Sequence, residues 1–162
     1  MQHIEIDLDA QVLNLFDSDR RLHSYPVSTA ANGLGEQMDS ECTPRGRHEI
    51  VEKIGDACQP GTVFVGRRPT GEIWSEELFA SHPGRDWILT RILWLHGLEP
   101  GFNQGGRVDS RDRYIYIHGT PERTDMSVAG SRGCVRMRNA DVIELFDAVD
   151  VGTPVNLVTA SR

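Results

Sequence analysis

Apolar and polar residues alternate with a period of two over most of the chain, which is the spacing of half-buried strands. Ile4, Ile6 and Leu8 alternate with Glu5 and Asp7. After an Asp9-Ala10 turn come Val12, Leu13, Leu15 and Phe16, and the pattern continues through residues 22–27. This predicts a meander of short antiparallel strands. Residues 28–47 hold Gly33, Gly35, Gly46 and Pro44 and read as a long loop, after which residues 48–54 resume strand character. Residues 71–79 and 86–95 read as two strands flanking a Ser81-His82-Pro83-Gly84 turn. The second is apolar on both faces, as a buried central strand would be.

A Gly-rich stretch at residues 100–106 reads as a hairpin or an active-site lid. Residues 113–118 then form a strand with Ile115 and Ile117 on one face and Tyr114, Tyr116 and His118 on the other. One amphipathic helix is predicted, with Asn139 as N-cap and Val142, Ile143, Leu145, Phe146 and Val149 at helical spacing before Gly152 and Pro154 stop it. Residues 155–158 close the chain as a strand. Many short strands and one late helix predict a mainly β fold, a sandwich or barrel-like core with a short C-terminal helix, in a single domain over residues 1–162.

Composition narrows the function. Lys and Arg number 17 against 24 Asp and Glu, a net charge of −7, so the excess of cations that phosphate-backbone binding needs is missing and nucleic acid is not an expected partner. The most apolar stretch, residues 87–98, is broken by Thr90, Arg91 and His96 and is too short to span a bilayer. The first nine residues alternate apolar and acidic and lack the basic start and apolar run of a secretory signal. The expectation is a cytoplasmic protein, or a periplasmic or cell-wall one where an export signal has been removed. Cys42, Cys58 and Cys134 are an odd set with no C-x-x-C, which argues against a disulfide scaffold and a zinc ribbon. Six scattered histidines form no metal-binding pair and no phosphate-binding glycine loop is present, so neither metal nor cofactor is expected.

The chemistry concentrates in Ile117-His118-Gly119-Thr120 and Ser131-Arg132-Gly133-Cys134-Val135-Arg136-Met137-Arg138. Cationic neighbours lower a thiol's pKa and raise its thiolate fraction, and a flanking glycine lets backbone amides approach a developing oxyanion. Cys134 is thus a candidate nucleophile, the amides of Gly133 and Cys134 candidate oxyanion donors, and His118 a candidate base. On spacing alone, a buried structural thiol and a strand-end histidine are the favoured reading, because Cys/His pairs at arbitrary separation are a weak signal.

These residues resemble the catalytic signature of the L,D-transpeptidase (YkuD-like) domain family, a His-Gly-Thr strand end followed by a Ser-His-Gly-Cys-aliphatic-Arg segment. Tyr25 to Ala30, Thr43-Pro44-Arg45-Gly46, and the closing Asn139 to Phe146 and Gly152 to Val155 are similar to further parts of the family pattern. The resemblance implies that Cys134 is the acylated nucleophile, His118 its base and the Gly119 backbone carbonyl the third member. It implies a role for Arg136 in holding the site or a substrate carboxylate, with a structural salt bridge as the other reading. Arg132 stands where the family has histidine. It cannot act as a base but adds a fixed charge, so Arg132, Arg136 and Ser131 are candidate substrate contacts.

The resemblance further implies attack on the L-centre carbonyl of a peptidoglycan stem tetrapeptide and release of terminal D-Ala through a thioacyl-enzyme. The expected activity is an L,D-carboxypeptidase with water as acceptor, trimming muropeptides in recycling. The alternatives are an L,D-transpeptidase forming 3-3 crosslinks in the cell wall and, because of Arg132, a non-catalytic module that binds stem peptides. Carbapenems, which acylate cysteines of this family, are the expected inhibitors.

Overall fold

A computed structural model describes residues 1–160. The last two residues of the expected 1–162 domain lie outside the described residues. In chain order the elements are β1 (Gln2–Asp7), β2 (Val12–Asp17), β3 (Arg20–Ser28), β4 (Gly46–Ile54), β5 (Thr62–Val65), β6 (Arg68–Ile73), α1 (Glu76–Ser81), β7 (Ile88–Gly97), β8 (Tyr116–Thr120), β9 (Val135–Arg138), α2 (Asn139–Ala148) and β10 (Pro154–Val158).

The strands form one sheet in the order β4-β10-β1-β2-β3-β9-β8-β7-β5-β6, and a further β4–β7 pairing closes eight of them into a barrel. Closure covers the β4 edge, and β6, bonded to β5 alone, is left as the edge strand. The expected meander is present as the antiparallel β1–β2 and β2–β3 pairs. β7 is the expected central strand, bonded to β4, β5 and β8. Alternate residues of the barrel strands, among them Ile4, Ile6, Leu13, Leu15, Val27, Leu93, Ile117, Val135 and Leu157, point into one core, where Val142, Leu145 and Phe146 of α2 join them. Lys53 fixes the far end of that helix by donating to the carbonyls of Phe146 and Val149, both at 2.7 Å.

Four expectations need correction. Residues 71–79 are not one strand: β6 ends at Ile73 and α1 begins at Glu76, because the Ser75 side chain accepts the Leu78 amide at 3.0 Å and two glutamates occupy the first turn. Asn139 is the first residue of α2 and not its cap. Its Oδ1 accepts the Thr90 hydroxyl at 2.5 Å while Nδ2 donates to Glu122 at 3.0 Å, so the side chain is committed to tertiary contacts. The strand at residues 113–118 starts only at Tyr116, since Tyr114 has φ 57° and turns the chain there. β1–β10 and β8–β9 are parallel pairs in an otherwise antiparallel sheet.

Candidate active site

The parallel β8–β9 pair brings the motif together. Ile117 lies opposite Val135 and His118 opposite Arg136. Ile117, Val135 and Met137 face the core, so the alternate residues Tyr116, His118 and Arg136 share the outer face. Cys134, just before β9, packs on that face beside Tyr116 and Ile92. Tyr114 does not share it; the turn at that residue leaves its ring exposed.

His118 is 1% exposed, and its Nδ1 lies 2.6 Å from the Gly119 carbonyl. A carbonyl only accepts, so Nδ1 carries the proton and Nε2 is left unprotonated. Burial holds the imidazole below its ordinary 6.5, against the Gly119 bond and the Asp86 carboxylate, which favour the charged form. Gly119 is required here: a Cβ would meet Asn139 Oδ1 and sit 2.6 Å from the Leu89 carbonyl.

The turn before β9 is tied by Ser131, whose hydroxyl donates to the Cys134 carbonyl at 2.6 Å and accepts the Gly133 amide at 3.1 Å. Gly133 has φ 131°, and Thr43, from the Thr-Pro loop, donates to its carbonyl at 2.9 Å. The Gly133 amide, expected as an oxyanion donor, is therefore engaged within the turn. Ser131, expected at the substrate, spends its hydroxyl on the same turn.

The Cys134 thiol donates to the Tyr114 carbonyl and accepts the Tyr116 amide, both at 3.3 Å. Its pKa does not fall as the neighbouring arginines suggest. Burial pushes it up to about 12, with the Asp86 carboxylate adding to the rise, while the Tyr116 amide, Arg136 and Arg113 oppose it. Desolvation outweighs the cations, so at neutral pH the pair is a neutral thiol and a neutral imidazole.

Cys134 borders a cavity of about 360 Å³ whose walls include Arg67, Asp86, Arg113, Tyr114, Tyr116 and Arg132. Arg132 lines this cavity, whereas Arg136 does not and is paired to Asp86 at 3.3 Å. The stretch at residues 100–106, one candidate lid, does not line this cavity. It is a closed turn in which buried Asn103 bonds the Glu99 amide and the carbonyls of Arg45 and Arg47.

Two cavity arginines lay outside the motif. Arg67 sits in the two-residue β5–β6 turn, where Gly66 and Arg67 both have positive φ, and its guanidinium stacks 4.8 Å from Trp94 and 5.0 Å from Tyr114 while donating to the Tyr116 hydroxyl at 3.1 Å. The strand–Gly-Arg–strand spacing was the one signal for it. Arg113 donates to the carbonyls of Gly35 and Cys42 and to the Ser40 hydroxyl, tying the long loop to the site.

Comparison with known proteins gives the family and the fold. The L,D-transpeptidase catalytic domain model matches residues 1–157. A Bacillus licheniformis protein named as a YkuD L,D-transpeptidase is 28% identical over 154 residues, which is 95% of this chain and 64% of that protein. The ErfK/SrfK L,D-transpeptidase of Salmonella typhimurium is 44% identical over 46 residues, 28% of this chain and 15% of its own length. An L,D-transpeptidase structure from Mycobacterium smegmatis superposes with a TM-score of 0.55 at 19% identity, covering 97% of this chain and 58% of that one. L,D-transpeptidase 3 from Mycobacterium tuberculosis, solved with a faropenem-derived adduct, gives 0.57 at 15% identity, covering 96% and 59%. This chain therefore spans less than two thirds of the relatives it matches over its whole length. On the family match across its folded length, the chain belongs to the L,D-transpeptidase (YkuD) catalytic-domain family.

Proposed function

We propose that the chain is a cysteine acyltransferase of peptidoglycan stem tetrapeptides, with Cys134 as nucleophile and His118 as base. The observation that carries this reading is the position of the Cys134 thiol at the wall of the 360 Å³ cavity, on the same strand face as a buried imidazole whose Nδ1–H is fixed on Gly119. The sulfur attacks the L-centre carbonyl as its proton passes to His118 Nε2. That proton then goes to the departing D-Ala nitrogen, leaving a thioester. The oxyanion faces the Cys134 amide, and Ser131 positions the turn.

Water is the acceptor in this reading, which makes the activity an L,D-carboxypeptidase. Arg67, Arg113 and Arg132 face the cavity against the single carboxylate of Asp86. Such a wall attracts a peptide carrying carboxylates and repels an ammonium acceptor. Water meets no such barrier, and its attack on the thioester regenerates the thiol with the proton again carried by His118.

The test is incubation of the protein with a tetrapeptide muropeptide, with and without a diamino acceptor, read by mass spectrometry. Tripeptide and free D-Ala as main products are expected. Crosslinked dimer as the main product would replace the hydrolase with the 3-3 transpeptidase. No D-Ala release, together with no mass gain on carbapenem exposure, would sink acyl transfer and leave a stem-peptide-binding module.

A further inference from the structure

Arg136 does not face the Cys134 cavity; it lines a second one of about 260 Å³ with Arg85, Arg123, Thr120, Phe79 and Trp87. Three guanidiniums at one small cavity stand out in a chain of net charge −7. Their carboxylate partners are Glu72 for Arg85 at 3.4 Å, Glu76 for Arg123 at 2.9 Å and Asp86 for Arg136 at 3.3 Å, and none of the three lines the cavity. Each guanidinium is thus ion-paired, yet the only charged side chains lining the cavity are the three arginines.

The guanidiniums are also held in place. Arg85 lies 4.8 Å from the Trp87 ring centre and Arg123 4.3 Å from that of Phe79. Arg136 is bonded at Nη2, but its buried Nε has no partner among the described residues, so Asp86 satisfies only part of its donor set. The Thr120 segment adds β8 to the wall, directly after His118 and Gly119.

The two cavities meet at the Asp86–Arg136 ion pair, with Asp86 on the Cys134 side and Arg136 on the other. We propose that the three-arginine cavity is a receptor for a peptide carboxylate, taking a second carboxylate of the donor while its scissile carbonyl lies at Cys134. The identity of that donor rests on the function proposed above. The receptor itself rests on the cavity. Ring-stacked guanidiniums are pre-organised for the planar, two-oxygen geometry of a carboxylate.

The experiment uses the intact protein, ¹⁵N-labelled, and follows the Trp87 indole resonance, identified by its loss in Trp87→Phe. N-acetylglycine is the carboxylate probe, N-acetylglycinamide its uncharged counterpart and inorganic phosphate the competing oxyanion. Expected is a saturable shift of the Trp87 indole with N-acetylglycine, none with the amide, and at least tenfold weaker binding in Arg85→Gln/Arg123→Gln, with partial recovery in Arg85→Lys/Arg123→Lys. No saturable shift, an equal shift with the amide, or unchanged binding in the Gln pair overturns the receptor. Tighter binding of phosphate overturns its assignment to carboxylates. If the Gln pair does not fold, the amide comparison on the native protein decides. None of these readouts uses Cys134 chemistry, so carbapenem acylation tests the acyltransferase separately.

Discussion

His48 and His118 are both buried, and both place Nδ1 on a nearby backbone carbonyl, Gly46 at 3.0 Å and Gly119 at 2.6 Å. Each therefore presents an unprotonated Nε2, and burial lowers both pKa values, that of His48 to about 4. Their other sides differ. His48 Nε2 accepts the hydroxyl of Ser110, itself wholly buried, at 2.8 Å, and neither residue borders the Cys134 cavity. His118 shares its face with Cys134, which a glycine turn delivers to a cavity wall. The fold thus holds a sealed histidine–hydroxyl pair and a buried histidine on the strand face of a thiol that borders a cavity. Tautomer and burial are common to the two histidines; the cavity beside Cys134 and the turn at Gly133 are what differ.

The sharpest way to break that comparison is to remove each nucleophilic atom in turn. Cys134→Ala is expected to lower D-Ala release on the order of 10⁴-fold or more, whereas Ser110→Ala stays within about twofold of the native rate. Equal losses in the two variants, measured as D-Ala released per enzyme, would erase the distinction between the pairs.

Much of this contrast was legible in the residues and part of it was not. The β1–β3 meander, the buried β7 and the amphipathic α2 follow from period-two and helical spacing, because each is a local pattern. The β8–β9 pairing joins segments separated by an excursion and runs parallel, and no local pattern encodes it. The same holds for the cavity: Cys134 and His118 stood out through their motif, while Asp86, Arg67 and Arg113 reach the site from distant segments. The rise of the thiol's pKa has no signal in the chain, where flanking arginines are visible and desolvation is not. His48 and Ser110 carried no motif at all.

Removing the base comes next in size. His118→Gln is expected to slow turnover about 10²–10⁴-fold, the range for losing a positioned general base. In the native enzyme the imidazole must be neutral to accept the thiol proton, so activity is lost as pH falls through a His118 pKa lying below 6.5. With the thiol at about 12, no second limb is expected near neutrality. A pH–rate profile of kcat/KM with its acid limb above 6.5 would contradict the buried neutral base.

His48 should report its titration in stability and not in rate. Its folded pKa of about 4 lies below the ordinary 6.5, so the unfolded chain binds the proton more readily. The resulting stabilisation is fully present above about pH 6.5 and lost as pH falls through about 4, about 3 kcal/mol in all. Urea midpoints measured across that window should fall, and less steeply in His48→Gln, where only the other groups still titrate. An unchanged slope in the variant would place His48 outside the linkage.

The smallest effect isolates the sealed pair itself. Ser110→Ala leaves His48 Nε2 buried without its hydroxyl donor, which costs about 1–2 kcal/mol. The loss should grow as pH falls through the His48 titration, because a protonated Nε2 donates to the Ser110 oxygen in a charge-assisted bond that the variant lacks. Denaturant unfolding of both proteins at pH 7 and pH 4 reads this directly. A cost independent of pH would mean that Ser110 stabilises the barrel by packing and that the resemblance of the two histidine pairs is geometric only.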